Sequence, residues 1–99
     1  MNDYLFLMHN DAQDGQRHRD EEWAAYMAKL RQAGAFQGGS AIGNGVCASK
    51  AETPPRITPH LSGYIRVQAE SLSRARELVD GNPVFEAGGT VEIRELPKT

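Results

Sequence analysis

The spacing of apolar residues switches along this chain between the two-residue period of a strand and the three-to-four-residue period of a helix. The order of those switches limits the fold more than any other feature. Trp23, Met27 and Leu30 recur at i, i+4 and i+7, with Tyr26 and Ala33 beside them. That spacing places apolar side chains on one side of a helix. We therefore predict an amphipathic helix in the first third of the chain.

The first strand and this first helix have recognisable ends. Tyr4–Met8 is a short, continuous apolar run, which predicts a strand buried on both faces. Asp14–Arg19 is charged, contains glycine and lacks a period, so it is predicted to be a loop. Asp20 is a suitable N-cap for the helix, and Gly34 is placed to end it.

The middle of the chain is weakly patterned until one clear strand. Gly38-Gly39 is predicted to be a turn and Ser40–Ser49 an irregular, bulged strand. Lys50–Pro59 contains three prolines, so it is predicted to be a loop or an extended edge. Gly63–Ala69 alternates strictly between apolar and polar residues, as a half-buried strand does.

The last third predicts a second helix and a final strand. Ser71 is a suitable N-cap, Gly81 ends the helix and Pro83 prevents its continuation. The final strand alternates around Val91 and Ile93. The apolar stripe of the second helix comprises Leu72, Ala75, Leu78 and Val79. The order β-α-β-β-α-β predicts an α+β, ferredoxin-like sandwich. It is a single domain over residues 1–99, with a four-stranded antiparallel sheet and two helices on one face.

Composition excludes several classes of protein. Hydrophobic residues make up 39% of the 99 residues and charged residues 24%, which argues against disorder. The net charge of −2, without a basic stretch, argues against a nucleic-acid partner. The chain lacks an apolar run of the ~20 residues that a membrane span needs, and its first residues lack the basic region of a secretory signal. We expect a cytoplasmic protein without a membrane partner.

Two helices leave the other face of such a sheet open, and this face is predicted to carry mixed side chains. The apolar first strand contributes to it. Two such faces packed together predict a homodimer, a dimeric α+β barrel, with a polar-lined cavity for a small anionic or carbonyl-containing molecule. Alternatively, the charged residues form only a solvated or paired ladder. The polar residues of the face are Tyr64, Arg66, Gln68, Glu92 and Arg94.

With this order of elements, the sequence resembles the YCII-related family, including its DGPF-motif branch. The resemblance implies a small dimeric α+β-barrel protein and spans nearly the whole chain. The segments that carry it are Tyr4–Met8, Trp23–Met27 running to Ala33-Gly34, Gly38–Ala41, Leu61–Tyr64, Ala69–Leu72, Asn82–Gly88 and Gly88–Arg94.

The departures from the family pattern concern catalysis. Many YCII-like proteins have a His and an Asp that are proposed as an acid–base pair. The equivalent positions here are Trp23 and Asn82, and neither side chain exchanges a proton near neutral pH. Pro54–His60 takes the place of the Asp-Gly-Pro-Phe motif. The resemblance therefore implies that this chain has lost the family's proposed dyad or moved it.

His60 is the candidate catalytic residue that remains. It precedes the third strand, so it is a candidate general acid or base at the mouth of the cavity. Tyr64, Arg66 and Arg94 are candidate ligand-binding residues, the arginines for an anion. His9 and Glu92 are further candidates on the same face. The alternatives are a loop histidine bonded to backbone for His60 and a solvated strand end for His9.

Neither a metal nor a cofactor is predicted. His9, His18 and His60 are far apart in sequence, and arginines flank His18 in the charged loop. The single Cys47 lies in the irregular strand and is predicted to be a small buried residue. Three functions remain open: a small-molecule-binding dimer, a proton-transfer enzyme using His60, and a protein-interaction module that binds a partner through its open sheet face.

Overall fold

The computed structural model describes residues 1–12 and 20–98. The predicted loop Asp14–Arg19, with His18, lies outside the described residues. The described elements are β1 (Asn2–His9), α1 (Asp20–Gln32), β2 (Phe36–Ala41), β3 (Leu61–Ala69), α2 (Leu72–Glu77), α3 (Pro83–Glu86) and β4 (Thr90–Leu96).

The four strands form one antiparallel sheet in the order β2-β3-β1-β4. This is the ferredoxin-like arrangement, so the predicted fold class is confirmed. β1 lies in the centre, where Phe6 pairs with Ile65 of β3 on one side and with Ile93 of β4 on the other. The first strand thus organises the sheet.

Burial in β1 alternates along the strand. Tyr4, Phe6 and Met8 are buried in the core, whereas Leu5 and Leu7 are half-buried in the single chain. The prediction that both faces of this strand are buried is therefore corrected. Successive side chains of a strand point to opposite faces, and only one face of the sheet packs against the helices in the described part of the chain.

Helix α1 includes Asp20 in its first turn, so Asp20 is not the predicted N-cap, and Gly34 follows the helix with a φ of 70° as its predicted end. Its most buried side chains are Tyr26 and Leu30. The buried side of the helix is therefore centred on these two residues, and Trp23 is half-buried at its edge. Ala33 is exposed. Within the described residues, every helix is too short or too polar to cross a membrane.

The second strand differs from the prediction. Gly38 and Gly39 lie inside β2 rather than in a turn, and residues 42–60 contain neither helix nor strand. A Cβ on Gly39 would lie 2.6 Å from the carbonyl oxygen of Tyr64, so β2 approaches β3 closely only because this residue is glycine. Cys47, predicted to be buried in that strand, is half-buried in the segment 42–60.

The predicted second helix is shorter in the structure, where α2 ends at Glu77, and a further short helix, α3, begins at Pro83. Ser71 caps α2 as predicted, because its side chain accepts a hydrogen bond from the backbone N–H of Arg74 at 3.2 Å. Leu72 is 56% exposed, so its predicted place in the apolar stripe is wrong. Asn82 and Pro83 begin α3 as N-cap and first residue. An Asn-Pro pair suits both positions, which is the signal for α3 in the sequence.

Candidate functional site

The open face of the sheet consists of two rows of side chains that follow the strand register. In one row Leu7 lies between Tyr64 and Glu92, and in the other Leu5 lies between Arg66 and Arg94. All five predicted residues Tyr64, Arg66, Gln68, Glu92 and Arg94 belong to this face. The predicted placement follows from the period-2 alternation of β3 and β4.

One end of this face holds a cluster of four hydrogen-bonded side chains, which we term the histidine cluster: His9, His60, Glu92 and Arg94. Nδ1 of His9 lies 3.0 Å from Nδ1 of His60. Nε2 of His9 lies 3.0 Å from Oε1 of Glu92. Nε of Arg94 lies 3.1 Å from Oε2 of the same carboxylate. The structure thus brings four predicted site residues into one chain of contacts.

Exposure decreases toward the centre of the histidine cluster. The side chain of Arg94 is 69% exposed, that of Glu92 42% and that of His9 12%. His60 is exposed. A hydrogen bond to a largely buried ring is strengthened by the lower local dielectric. His9 is therefore the well-fixed member, and His60 is the member that solvent reaches.

Asp11 lies beside the histidine cluster and ties the end of β1 to the start of β4. Its carboxylate accepts hydrogen bonds from the backbone N–H and the hydroxyl of Thr90, both at 2.8 Å. These bonds, with a smaller attraction from His60, lower the pKa of Asp11 below its ordinary value. The negative charge of Asp11 is thus held near His60.

Arg66 makes its side-chain contact away from the histidine cluster. Arg66 donates a hydrogen bond to the carbonyl oxygen of Gln37 at 2.9 Å. Arg66 and Arg94 occupy strands on opposite sides of β1, which separates their backbones by roughly 10 Å. Arg66 contacts Gln37 and Arg94 contacts Glu92, so the two guanidinium groups are engaged with different partners in the single chain.

A separate cavity of about 460 Å³ lies on the other side of the sheet, toward α1 and α3. We term it the helix-side cavity. Trp23 and Met27 of α1 line it together with Val84 of α3. Its remaining lining residues are Met8, Gly39, Ser40, Ala41, Ser62, Gly63, Tyr64 and Ile65. This site was missed from sequence, although the apolar stripe of α1 gave part of its wall.

The lining of the helix-side cavity is uncharged. The Ser62 hydroxyl donates to the backbone carbonyl of Met8 at 3.2 Å, which leaves its oxygen as an acceptor toward a ligand. Ser40 pairs with Tyr64, so its side chain belongs to the open face. A bare carboxylate would lose its hydration there without gaining a partner charge. The cavity therefore suits a neutral molecule.

The two positions at which the resemblance places an acid–base pair lie at or beside this cavity, in other roles. Trp23 forms part of the wall. Asn82 is fully buried, and its Oδ1 accepts hydrogen bonds from the N–H groups of Val84 and Phe85 at 2.9 and 3.2 Å. Asn82 thus caps α3 and positions Val84, which also lines the cavity.

Over residues 1–12 and 20–98, no three His, Cys, Asp or Glu side chains are grouped as a metal ion requires. The contact between His9 and His60 is a hydrogen bond between two rings.

Comparison with known proteins identifies the fold. No family model matches the sequence, and no curated protein matches it. Among solved structures, the chain is similar to 5-chloro-2-hydroxyhydroquinone dehydrochlorinase (TftG) from Burkholderia phenoliruptrix AC1100, in complex with 2,5-dihydroxybenzoquinone. The identity is 17% and the TM-score 0.59, over 98% of this chain and 95% of that chain. At this identity the similarity shows a shared α+β ferredoxin-like fold.

Proposed function

We propose that this protein binds a small, neutral aromatic or quinonoid molecule in the helix-side cavity. The observation that carries the proposal is the cavity itself, about 460 Å³ in volume and walled by Trp23, Met8 and Met27 without a charged residue. Ligand pockets commonly measure roughly 300–1,000 Å³. Tryptophan and methionine side chains favour contact with aromatic rings.

The similarity to TftG supports the size and class of the ligand. That protein was solved with a single substituted ring, 2,5-dihydroxybenzoquinone. A ring hydroxyl group would find an acceptor in Ser62, whose own proton is directed to the backbone carbonyl of Met8. The proposed ligand is therefore a ring with one or two hydroxyl groups rather than a small organic acid.

Hydroquinone is a suitable probe, with benzoate as its charged counterpart. Trp23 is the single tryptophan of the chain, so its indole NMR resonance reports directly on the cavity. We expect hydroquinone to shift this resonance saturably and benzoate to shift it at least tenfold more weakly. Equal affinity for both compounds would contradict the proposed ligand class.

A filled cavity is the second part of the test. Ala41 pairs with Gly63 at the cavity wall and is exposed, so Ala41→Leu adds volume there without disturbing the core. We expect hydroquinone affinity to fall at least tenfold. Ala28→Leu, on the exposed side of α1, is the matched control and keeps its affinity. Unchanged binding by Ala41→Leu would place the ligand elsewhere.

The proposal includes membership of the YCII-like proteins and a homodimer formed through the open face. Leu5 and Leu7 are half-buried at the centre of that face, and charged side chains surround them. An apolar centre with a polar rim is the usual composition of a protein interface. A second copy of the chain has the matching face.

The histidine cluster favours a second candidate function, proton transfer with His60 as acid or base. His60 is exposed and contacts His9, which in turn contacts Glu92. A base whose ring is oriented by a second hydrogen-bonded group is a common catalytic arrangement. If His60→Ala loses a proton-transfer activity that the wild type has, and still binds hydroquinone, then proton transfer is separate from ligand binding in the helix-side cavity.

A further inference from the structure

The histidine cluster joins three elements at one end of the sheet. His9 is the last residue of β1, His60 immediately precedes β3, and Glu92 lies in β4. The backbone N–H of Asn10 also donates to the carbonyl oxygen of His60, so the main chain holds the two rings at this distance. The contacts His60–His9 and His9–Glu92 therefore form one continuous hydrogen-bonded path.

The hydrogen-bonding capacities of the groups determine where the protons lie. An ionised carboxylate only accepts, so Nε2 of His9 carries a proton and donates it to Glu92. A neutral His9 then presents the lone pair of Nδ1. His60 must donate to that lone pair from its own Nδ1, because the two Nδ1 atoms lie 3.0 Å apart. This leaves Nε2 of a neutral His60 without a proton.

We propose that Glu92 and His9 form a relay that makes Nε2 of His60 the proton-accepting atom of the site. When a proton binds Nε2 of His60, the Nδ1–H bond of His60 breaks and that proton moves to Nδ1 of His9. Both rings keep their electron pairs, and the only net change is one added proton. His60 ends neutral with an Nε2–H, and the positive charge is on His9.

The charge is stabilised on His9 because the ring contacts a carboxylate. Nε2 of His9 lies 3.0 Å from Glu92, and the side chain of His9 is 12% exposed, so the attraction is weakly screened. Arg94 bonds the other oxygen of Glu92 and holds it in place. Asp11 is a further acidic group that acts on His60. Glu92 and His9 are thus positioning residues for His60.

This inference extends the second candidate function and involves no ligand of the helix-side cavity. Its chemical class is the exchange of a proton with a weakly acidic hydroxyl, such as that of a phenol or an enol. Imidazole is the side chain whose ordinary protonation equilibrium suits that exchange near neutral pH. The relay adds a defined direction, since one atom of His60 meets the substrate and the charge moves inward.

Imidazole ¹⁵N NMR of the full-length, ligand-free protein tests the relay. Above neutral pH, we expect His60 to carry its proton on Nδ1 and His9 on Nε2. The resonances of His18 are identified with His18→Asn, which leaves those of His9 and His60 to be assigned. On acidification until one proton has been added to the pair, both nitrogens of His9 should be protonated. A charge on His60 with His9 still neutral would overturn the proposal.

Variants of Glu92 show whether the carboxylate directs the relay. Glu92→Leu removes the acceptor, so we expect His60 to change to the Nε2–H form that exposed histidines favour. Glu92→Gln keeps an acceptor oxygen and should restore the wild-type tautomers. Glu95→Leu, an exposed position on the same strand, is the control. If His60 has its proton on Nε2 in the wild type and Glu92→Leu changes nothing, the relay does not exist. Hydroquinone binding is unaffected by either result, so the two proposals fail separately.

Discussion

Nδ1 of His9 lies 3.0 Å from Nδ1 of His60, although 51 positions separate the two residues along the chain. The contact follows from the pairing of β1 with β3, in which His9 is opposite Leu61. Antiparallel strands bring the end of one beside the start of the other. The connection between these strands, which contains α1 and β2, therefore ends by placing two ionisable rings together.

Leu30 tests the core between α1 and the sheet. Its side chain is fully buried, and Leu30→Ala leaves a cavity. We expect the free energy of unfolding to fall by about 2–5 kcal/mol, as measured by urea denaturation monitored by circular dichroism.

Leu72→Ala is the matched control for Leu30→Ala. Leu72 is 56% exposed at the start of α2, so its truncation should change stability by about 0.5 kcal/mol or less. Similar losses in the two variants would contradict the observed burial and restore the sequence prediction for Leu72.

Tyr26 predicts a loss of stability at alkaline pH. Burial raises the pKa of Tyr26 to about 12, above the ordinary value of about 10 in the unfolded chain. Below pH 10 the phenol of Tyr26 is protonated in both the folded and the unfolded state, so its full contribution to the free energy of unfolding is present. Between pH 10 and 12 the unfolded chain ionises first, so this contribution declines.

The Tyr26→Phe variant checks both the hydrogen bond and its pH dependence. The Tyr26 hydroxyl donates to the carbonyl oxygen of Leu78 at 2.8 Å, so its loss should cost about 1–2 kcal/mol at neutral pH. Measured by urea titration, the difference in free energy of unfolding between wild type and Tyr26→Phe should become smaller between pH 10 and 12. A constant difference across that range would mean that Tyr26 is not buried in the folded state.

We expect the ionised carboxylate of Asp11 to stabilise the folded state, and we expect this stabilisation to be lost in acid. The two hydrogen bonds from Thr90 lower the pKa of Asp11, so the carboxylate stabilises the folded state above the unfolded pKa of about 3.9. The contribution is lost as pH falls through the lower, folded value. Asp11→Ala should therefore reduce the melting temperature at pH 6 and have little effect in strong acid.

Two further variants isolate the cause at Asp11. Thr90→Val removes the hydroxyl bond, which is the largest cause of the shift, and should move the carboxyl resonance of Asp11 to titrate at higher pH. Glu70→Ala, at another exposed position, should leave it unchanged. A carboxyl titration that is identical in wild type and Thr90→Val is the result that would count against this contact.

The sequence predicts those parts of the fold whose cause is local. Alternation in β3 and the stripe of α1 record burial directly. β2 was misassigned because its glycines look like a turn, whereas Gly39 is required by the close approach of β3. That requirement belongs to the tertiary structure. Leu72 was misplaced because α2 is six residues long and is followed by a separate helix.

The candidate site also has a part that the sequence predicts and a part that depends on tertiary structure. Strand order is enough to place His9 near His60, but the contact between His9 and Glu92 depends on the register of β4 against β1. The helix-side cavity depends on how α1 lies over the sheet. The sequence pattern does not give the separation between α1 and the sheet, so it places Trp23 on an apolar stripe but does not reveal the cavity that this side chain lines.

The open face predicts the oligomeric state. Leu7 lies at its centre between Tyr64 and Glu92, so Leu7→Lys places a charge in the middle of the proposed interface, where desolvating it is costly. By sedimentation velocity at micromolar concentration, we expect twice the chain mass for the wild type and the chain mass for Leu7→Lys. Circular dichroism should show that the variant stays folded.

Ala25→Lys is the control for this substitution, because Ala25 is exposed on α1, away from the sheet. It should sediment as the wild type does. A wild type with the mass of one chain would exclude the dimer and favour a partner other than a second copy, as in an interaction module. If Leu7→Lys stays dimeric, two copies associate through a different surface, and the side chains of Leu5 and Leu7 then lie in contact with solvent.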